Sequence, residues 1–297
     1  MLCEYSVRSS AVKRMLVNAY VHACLCTEGL LADRKMIVNA TVSNDTLIYP
    51  CNKKYRIFDF EKNTVEVIVK DGFCNNDLLH EIEFRTRERL PEFVPTLLSQ
   101  TEYGYSEKII DGKPLARITN GFDDYRDRAY RLLFDYAKQS LHTVSAFTYV
   151  EQLAEEIMKS ITDKVRNKKL VECVVKTLVV QAKTAESVEL CFSHGDLQSG
   201  NIWVENKTDK IYIIDWESFG ERSVLYDKAV LYDGLRPGGV TEYMDKQTDF
   251  SERAFVLLED IVYQLTDLNN LPEDFGEEQF EKYIEDIHFV LNNKKQE

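Results

Sequence analysis

The sequence has few features of membrane, secreted or nucleic-acid-binding proteins. No apolar stretch near its start is long enough for a signal peptide or a membrane helix, because Arg8, Lys13, Arg14 and Glu28 interrupt the first thirty residues. The seven cysteines are odd in number and contain no C-x-x-C pair, which argues against a disulfide framework and a zinc site. A formal net charge of −13 argues against binding to nucleic acids and anionic membranes. These absences favour a cytoplasmic protein.

The hydrophobic pattern predicts an α+β fold. The 297 residues are enough for two lobes with a sizeable core, and the apolar fraction of 44% is ordinary. Ser9 could cap a first helix that ends near Leu31, and short alternating runs between Met36 and Lys70 predict a small antiparallel sheet. Helical spacing of apolar residues then predicts helices near 76–90, 125–142, 150–165, 170–182, 252–269 and 277–292.

The stretch from Phe192 to Trp216 organises the rest of the chain. Two short apolar runs, 202–204 and 211–214, flank a polar turn and predict a β-hairpin. Asn201 would begin its first strand and Asp215 would end its second, so antiparallel pairing brings both to one end of the hairpin. Asp196 lies a few residues upstream in a tight turn. The sequence therefore predicts that three oxygen-bearing side chains converge.

The chemistry of this cluster suits phosphoryl transfer. Carboxylate and amide oxygens are ligands that Mg²⁺ accepts together with substrate phosphates. A carboxylate that does not bind the metal could orient an attacking hydroxyl. The protein-kinase catalytic loop divides the work in this way, with a catalytic Asp, a metal-binding Asn five residues later and a second metal-binding Asp further on. Asp196, Asn201 and Asp215 have that arrangement.

The motifs H-G-D-L-Q-S-G-N and I-I-D-W-E resemble those of the aminoglycoside phosphotransferase and choline kinase family, whose members are small-molecule kinases. The resemblance implies a two-lobed, protein-kinase-like α+β fold, with a small antiparallel-sheet N-terminal lobe and a mainly helical C-terminal lobe. The implied boundaries are 1–105 for the first lobe, 106–115 for the hinge and 116–297 for the second lobe. A protein kinase is the alternative, but the Gly-rich loop, H-R-D, D-F-G and A-P-E are missing.

The resemblance also implies roles for the motif residues. Asp196 is expected to be the catalytic carboxylate that accepts or orients the substrate hydroxyl, and His194 to orient the catalytic loop by hydrogen bonding. Asn201 and Asp215 are expected to hold the Mg²⁺ that bridges the ATP phosphates. A carboxylate at Glu217 also occurs in the choline-kinase branch. Asp227, in a recurrent Y-D-x-A motif, is expected to support the loop.

The nucleotide site is expected to draw on the first lobe and the hinge. Lys70, at the end of a predicted strand, is the implied contact of the nucleotide phosphates and pairs with a carboxylate of the next helix. Glu81 is slightly favoured over Glu83 as that partner. By the same resemblance, four hinge residues line the purine pocket through main-chain atoms: Ser106, Glu107, Lys108 and Ile109.

The predicted reaction moves the γ-phosphate of ATP to a hydroxyl of a small molecule, with Mg²⁺ as cofactor. Within the family the acceptor could be an aminoglycoside, choline, ethanolamine, a sugar or a similar alcohol, and the sequence leaves this choice and the oligomeric state open. Acidic segments could favour a cationic acceptor, although such segments more often serve solubility. A catalytically silent nucleotide-binding or interaction protein is the alternative from another class, but such a protein has no chemical need for Asp196.

Overall fold

The computed structural model describes residues 45–247, 249–272 and 276–293 and the single residue 19. Ala19 is helical and exposed, while the rest of the helix predicted from Ser9 to Leu31 lies outside the described residues, as does the strand predicted at 36–38. Among the described residues, no helix is both long and apolar enough to cross a membrane.

The N-terminal part of the described chain is built on a five-stranded antiparallel sheet. Its strands are β1 (Thr46–Pro50), β2 (Lys54–Asp59), β3 (Thr64–Val69), β4 (Leu97–Gln100) and β5 (Gly104–Lys108), in the spatial order β1-β2-β3-β5-β4. Alternation along β3 points Val65 and Val67 toward the interior, where both are buried, and leaves Glu66 exposed. The sheet predicted between residues 46 and 70 is therefore confirmed.

One helix, α1 (Asn76–Arg85), packs against this sheet. Its Leu78 and Ile82 form a small core cluster with Val67 and Tyr105 of the sheet. The helix was predicted to continue to residue 90 but ends at Arg85. The Thr86 hydroxyl donates to the carbonyl oxygens of Ile82 and Glu83, and such side-chain bonds to the backbone compete with continued helix.

The C-terminal part is mainly helical, as predicted. Its helices are α2 (Phe122–Ala137), α3 (Ala146–Ser160), α4 (Lys168–Ala182), α5 (Tyr226–Tyr232), α6 (Val240–Lys246), α7 (Phe250–Asn270) and α8 (Glu277–Asn293). The largest core cluster joins α3, α4, α7 and α8, and α7 runs through its centre with residues 253–261 all buried. The α+β fold expected from the sequence is thus observed.

Two small three-stranded sheets carry the loops of interest. The first has the order β10-β9-β6, from β6 (Gly112–Pro114), β9 (Ile202–Glu205) and β10 (Ile211–Ile213). The second has the order β11-β8-β7, from β7 (His142–Ser145), β8 (Ser187–Ser193) and β11 (Gly220–Ser223). A second core cluster packs Phe84 of α1 together with Trp216, Ile202 and Ile213, so the first lobe rests on the hairpin.

Candidate active site

The β9–β10 hairpin forms as the sequence predicts. Ile202 pairs with Ile213, and both side chains are fully buried. Directly beyond this pair, the Ile214 N–H donates to the Asn201 carbonyl oxygen over 2.9 Å. The hairpin therefore places Asn201 beside the residue that precedes Asp215.

Asp196 and Asn201 are in direct contact. The Asn201 Nδ2 donates to the Asp196 Oδ2 over 2.8 Å and to the Asp196 carbonyl oxygen over 2.9 Å. The exposed Gln198 also donates its Nε2 to Asp196 Oδ2, over 3.0 Å. The loop is thus folded back on itself around the Asp196 carboxylate.

His194 is fully buried behind this loop and holds its shape. Its Nδ1 accepts the Asp196 N–H over 3.2 Å, which leaves Nε2 protonated to donate to the Ile214 carbonyl oxygen at 3.0 Å. The ring also packs on Trp216, with 4.4 Å between centroids. Both ring nitrogens are occupied by the backbone, an arrangement that suits an orienting residue and not a proton carrier.

Asp227, at the start of α5, anchors the same turn from the other side. Its carboxylate accepts the His194 N–H over 2.8 Å and the Gly195 N–H over 3.1 Å. Gly195 has a φ of +82°, and a Cβ there would lie 2.1 Å from the Ser218 carbonyl oxygen. The expected support of the loop by Asp227 is observed in these two bonds, and glycine is the residue that this crowded left-handed position accepts.

Lys54 on β2 lies beside the metal-binding candidate Asp215. Its Nζ lies 2.7 Å from Asp215 Oδ1, 2.7 Å from Glu217 Oε2 and 3.7 Å from Glu81 Oε2. Burial opposes its charge, but the three carboxylates outweigh this and raise the pKa of Lys54 well above its usual value. Sequence reasoning did not single out Lys54.

The carboxylates around Lys54 differ in their electrostatic state. Burial opposes charge on Asp215, yet Lys54 and the Arg56 guanidinium, 3.4 Å away, hold the pKa of Asp215 below its usual range. Burial raises the pKa of Glu217 to about 7. Asp215 itself has a left-handed backbone, with φ 70° and ψ 58°, which directs the chain into the short turn Trp216–Ser218.

Lys70 does not reach this cluster, so its expected pairing with a helix carboxylate is corrected. Its ammonium donates to the Asn52 carbonyl oxygen over 3.0 Å and lies 5.3 Å from the centroid of the Tyr55 ring. Val69 packs against the α1 cluster. Because side chains alternate along a strand, Lys70, the next residue, points to the opposite face of the sheet, away from α1. Lys54 pairs with Val69 across the strands and so points toward α1.

Glu81 is the helix carboxylate that faces the site, whereas Glu83 is exposed. Glu81 is fully buried, and its Oε1 accepts from the Tyr105 hydroxyl at 3.0 Å and from Arg85 Nη1 at 3.3 Å. Its Oε2 has no hydrogen-bond partner and points toward Lys54. The choice of Glu81 over Glu83 therefore matches the geometry, with Lys54 in place of Lys70.

The predicted hinge residues were expected to line a purine pocket through main-chain atoms, but three of the four lie within a strand of the sheet. Ser106, Glu107 and Lys108 belong to β5, and both edges of β5 are covered by β3 and β4 at Ser106 and Glu107. The main chain of these two residues faces neighbouring strands and is not free for a purine. The Glu107 side chain pairs with buried Arg85, and burial raises its pKa. Ile109 lies just past the strand and donates its N–H to Asn63.

Arg236, in the loop after α5, is a second residue that sequence reasoning missed. Its Nε donates to Asp196 Oδ1 over 3.1 Å, and its Nη2 bonds to the same oxygen. Burial opposes its charge, but Asp196 outweighs this and raises the pKa of Arg236 well above the usual value. No spacing rule connects the two positions, because a loop supplies Arg236 forty residues further on.

The donor set fits a hard divalent cation. One oxygen from each of Glu81, Asp215 and Glu217 lies within 4.8 Å of the others, and the buried Glu81 Oε2 has an unused acceptor position. Carboxylate oxygens at such spacing are ligands that Mg²⁺ accepts in proteins, usually alongside water and phosphate oxygens. Glu217 thus joins the predicted metal candidates Asn201 and Asp215.

Comparison with known proteins gives one family-model match and solved structures of similar fold. Residues 105–232 match the family model described as choline/ethanolamine kinase. No curated protein matches. Among solved structures, the choline kinase LicA from Streptococcus pneumoniae has a TM-score of 0.52 at 13% identity, with 92% of this chain and 99% of that chain covered. The gentamicin–APH(2'')-IIa complex has a TM-score of 0.52 at 13% identity, with 95% and 97% covered.

A third structure, a choline/ethanolamine kinase family protein from Mesorhizobium loti, has a TM-score of 0.50 at 13% identity over 92% of this chain and 94% of that chain. These neighbours define the class: the chain has the two-lobed, protein-kinase-like fold. The resemblance to choline kinases and aminoglycoside phosphotransferases expected from the motifs is confirmed, and the family match includes Asp196, Asn201 and Asp215.

Proposed function

We propose that this protein is a small-molecule kinase that transfers the γ-phosphoryl group of ATP to an alcohol hydroxyl. The observation that supports the proposal is the link between two side-chain groups at one end of the β9–β10 hairpin. Asn201, which donates to Asp196, accepts the N–H of Ile214, and the next residue, Asp215, pairs with Lys54, as does Glu217. The match to the choline/ethanolamine kinase family over residues 105–232 supports the same reaction class. Free thiols at the four described cysteines, Cys51, Cys74, Cys173 and Cys191, support a cytoplasmic location.

In the proposed mechanism each side chain has one task. Asp196 accepts the proton of the acceptor hydroxyl while the acceptor oxygen bonds to the γ-phosphorus. The bond from that phosphorus to the bridging oxygen breaks, and its electron pair leaves with ADP. Lys54 contacts the nucleotide phosphates, held in place by Glu81. Asn201, Asp215 and Glu217 would hold Mg²⁺, which when bound offsets charge on the phosphates.

The proposed acceptor is a small alcohol. Solved structures with a similar fold include proteins named as choline kinases and a gentamicin complex, so choline, ethanolamine and aminoglycosides are the acceptors to test first, followed by sugars. Purine binding is proposed for Lys108, the last residue of β5, and for Ile109, which follows the strand, because β3 and β4 cover both edges of β5 at Ser106 and Glu107.

A coupled assay for ADP release with pooled acceptors tests the proposal. We expect release that depends on one acceptor class and requires Mg²⁺. Asp196→Ala should lower the transfer rate by at least about 1,000-fold with little change in ATP affinity, whereas Asp215→Ala should also weaken Mg²⁺–ATP binding. Wild-type rates in both variants, or ADP release that no acceptor stimulates, would contradict the proposal.

A further inference from the structure

Arg236, the ion-pair partner of Asp196, also forms a second ion pair with Asp260, which lies deeper in the protein. Arg236 binds Asp196 Oδ1 through Nε and Nη2, and its Nη1 donates to the Leu235 carbonyl oxygen over 3.0 Å. The same Nη1 lies 3.6 Å from Asp260 Oδ1. Arg236 therefore bridges the catalytic loop and helix α7.

Asp260 is a rigid support for this bridge. It is fully buried, and its two oxygens accept hydroxyl groups from two other helices: Tyr226 of α5 over 2.9 Å and Tyr283 of α8 over 2.6 Å. The guanidinium also lies over the Tyr263 ring, 5.0 Å from its centroid. Arg236 thus contacts α7 through Asp260 and Tyr263, and Asp260 in turn is held by hydroxyl groups from α5 and α8.

The two oxygens of Asp196 consequently have different surroundings. Oδ1 faces the anchored Arg236, whereas Oδ2 accepts from Asn201, which is buried, and from Gln198, which is exposed. An acceptor hydroxyl must donate to one of these oxygens. Of the donors present, the Gln198 amide is the one on the protein surface, and an exposed side chain moves most easily.

We propose that Arg236 is the positioning residue of Asp196, that Asp260 and its tyrosine partners hold Arg236, and that the acceptor hydroxyl reaches Oδ2 by displacing the Gln198 amide. This inference rests on the proposed function, because it assigns a task within phosphoryl transfer. A half-buried cation without an anionic partner would be costly, and the carboxylates on its two sides offset part of that cost.

Two tyrosines form a matched pair for the test. Tyr149 and Tyr283 each donate a buried hydroxyl over 2.6 Å to a buried carboxylate of α7, to Glu259 and Asp260 respectively. Tyr149→Phe and Tyr283→Phe should therefore lose similar thermal stability. Tyr283 alone is linked to Arg236, so we expect kcat to fall about fivefold in Tyr283→Phe and to stay near wild type in Tyr149→Phe.

Variants of the ion pair sharpen the test. Arg236→Met should lower kcat by about 100-fold with KM for ATP within about twofold of wild type, because a misplaced base slows chemistry more than nucleotide binding. Arg236→Lys should recover part of kcat.

Gln198→Ala should lower KM for the acceptor, because the competing amide is gone. Equal kcat in wild type and Arg236→Met, or a loss in Gln198→Ala as large as in Arg236→Met, would overturn the inference.

A thermodynamic cycle separates this inference from the proposed function. Asp196→Asn, Arg236→Met and the double variant are compared by urea unfolding, which requires no activity. If the changes in the free energy of unfolding are not additive, the coupling supports the link between Asp196 and Arg236. Additive changes would overturn it. Wild-type protein that transfers phosphate to no acceptor would instead refute the proposed function, whatever the cycle shows.

Discussion

At the scale of single residues, Lys54 is the side chain on which the site is centred. Its ammonium lies among Glu81, Asp215 and Glu217, and only 7% of its side chain is exposed. If the lysine of such a buried cluster is removed, the carboxylates are left buried without a compensating charge, and the folded state is destabilised. Lys54 thus contributes to both the proposed chemistry and the stability of the fold.

Replacement of this lysine gives the first residue-scale prediction. Lys54→Met should lower the transfer rate by at least about 100-fold and the free energy of unfolding by about 3–5 kcal/mol. Lys70→Met is the matched control, because Lys70 contacts the Asn52 carbonyl and two aromatic rings and not the carboxylates. The transfer rate of this variant should stay within about twofold of the wild-type rate. Steady-state rates and urea unfolding measure both effects. A larger rate loss in Lys70→Met would refute the assignment.

Asp227 gives a second residue-scale prediction. Its carboxylate accepts two backbone N–H groups of the catalytic turn, and a buried N–H without a partner costs about 1–3 kcal/mol. Asp227→Ala should therefore lower both the free energy of unfolding and the transfer rate. Asp227→Asn keeps one acceptor oxygen and should fall between the wild type and the alanine variant. Urea unfolding that ranks the three proteins otherwise would argue against this support.

Sequence reasoning at this scale succeeded where neighbours along the chain set the geometry. Asn201 and Asp215 could be placed together because one hairpin holds both. Lys54 was missed because only the register of β2 against β3, which pairs Lys54 with Val69, shows which face its side chain occupies. Arg236 was missed for a different reason, since a contact between two loops forty residues apart leaves no periodic signal.

At the scale of elements, α7 is unusual for two consecutive buried carboxylates. Glu259 points to β11 and α3, where it accepts from the Ser223 N–H over 2.5 Å and from the Tyr149 hydroxyl over 2.6 Å. Asp260 points to α5 and α8. Burial raises the pKa of both acids. Glu259 therefore links α7 to β11 and α3, and Asp260 links it through Arg236 to the loop of Asp196. A prediction from apolar periodicity alone would have put both acidic side chains on the exposed face of the helix.

The raised pKa of Glu259 predicts a pH dependence. The folded protein favours the protonated acid, so this contribution to stability is complete below the unfolded pKa of about 4.3 and is lost as pH rises through the higher folded value. Glu259→Gln keeps an acceptor for Tyr149 and removes the titration. The variant should gain free energy of unfolding relative to wild type between pH 4.5 and pH 8 in urea titrations. A constant difference across this range would contradict the assignment.

The fold class and most helices could be predicted because their hydrophobic periodicity is strong. The hinge was predicted less well. Ser106 and Glu107 were expected to line a purine pocket through main-chain atoms, yet β4 pairs with the outer edge of β5 at these residues. The four-residue β4 contains one half-buried leucine among exposed residues, so its sequence carries little strand signal.

At the scale of the whole molecule, a polar bridge links the two lobes at the turn between β1 and β2. Lys53 Nζ lies 2.7 Å from both Asp77 of α1 and Asp267 of α7, and Asn270 donates to Asp77 over 2.8 Å. Burial opposes charge on Lys53, but Asp267 and Asp77 outweigh it and raise its pKa. Adjacent lysines thus serve two purposes: Lys54 faces the site, and Lys53 joins the lobes.

Loss of this bridge should loosen the lobes without unfolding them. Asp267→Asn should lower the free energy of unfolding by no more than about 1 kcal/mol, because its side chain is 41% exposed and water screens the pair. Amide hydrogen exchange of peptides covering residues 45–60 should nonetheless become faster. Glu155→Gln, which removes an exposed ion pair within α3, is the matched control. Unchanged exchange in Asp267→Asn would show that the bridge does not restrain the turn.

The close approach of Gly195 to Ser218 has a mechanical consequence. A Cβ at position 195 would lie 2.1 Å from the Ser218 carbonyl oxygen and 2.8 Å from Arg222 Nη1, which itself donates to that oxygen over 3.0 Å. The turn that holds Asp196 and the segment after Asp215 are therefore packed closely together, and we expect them to move together. We expect a change in the spacing of the lobes to occur instead at the ion pairs of Lys53 with α1 and α7 and of Lys54 with Asp215 and Glu217.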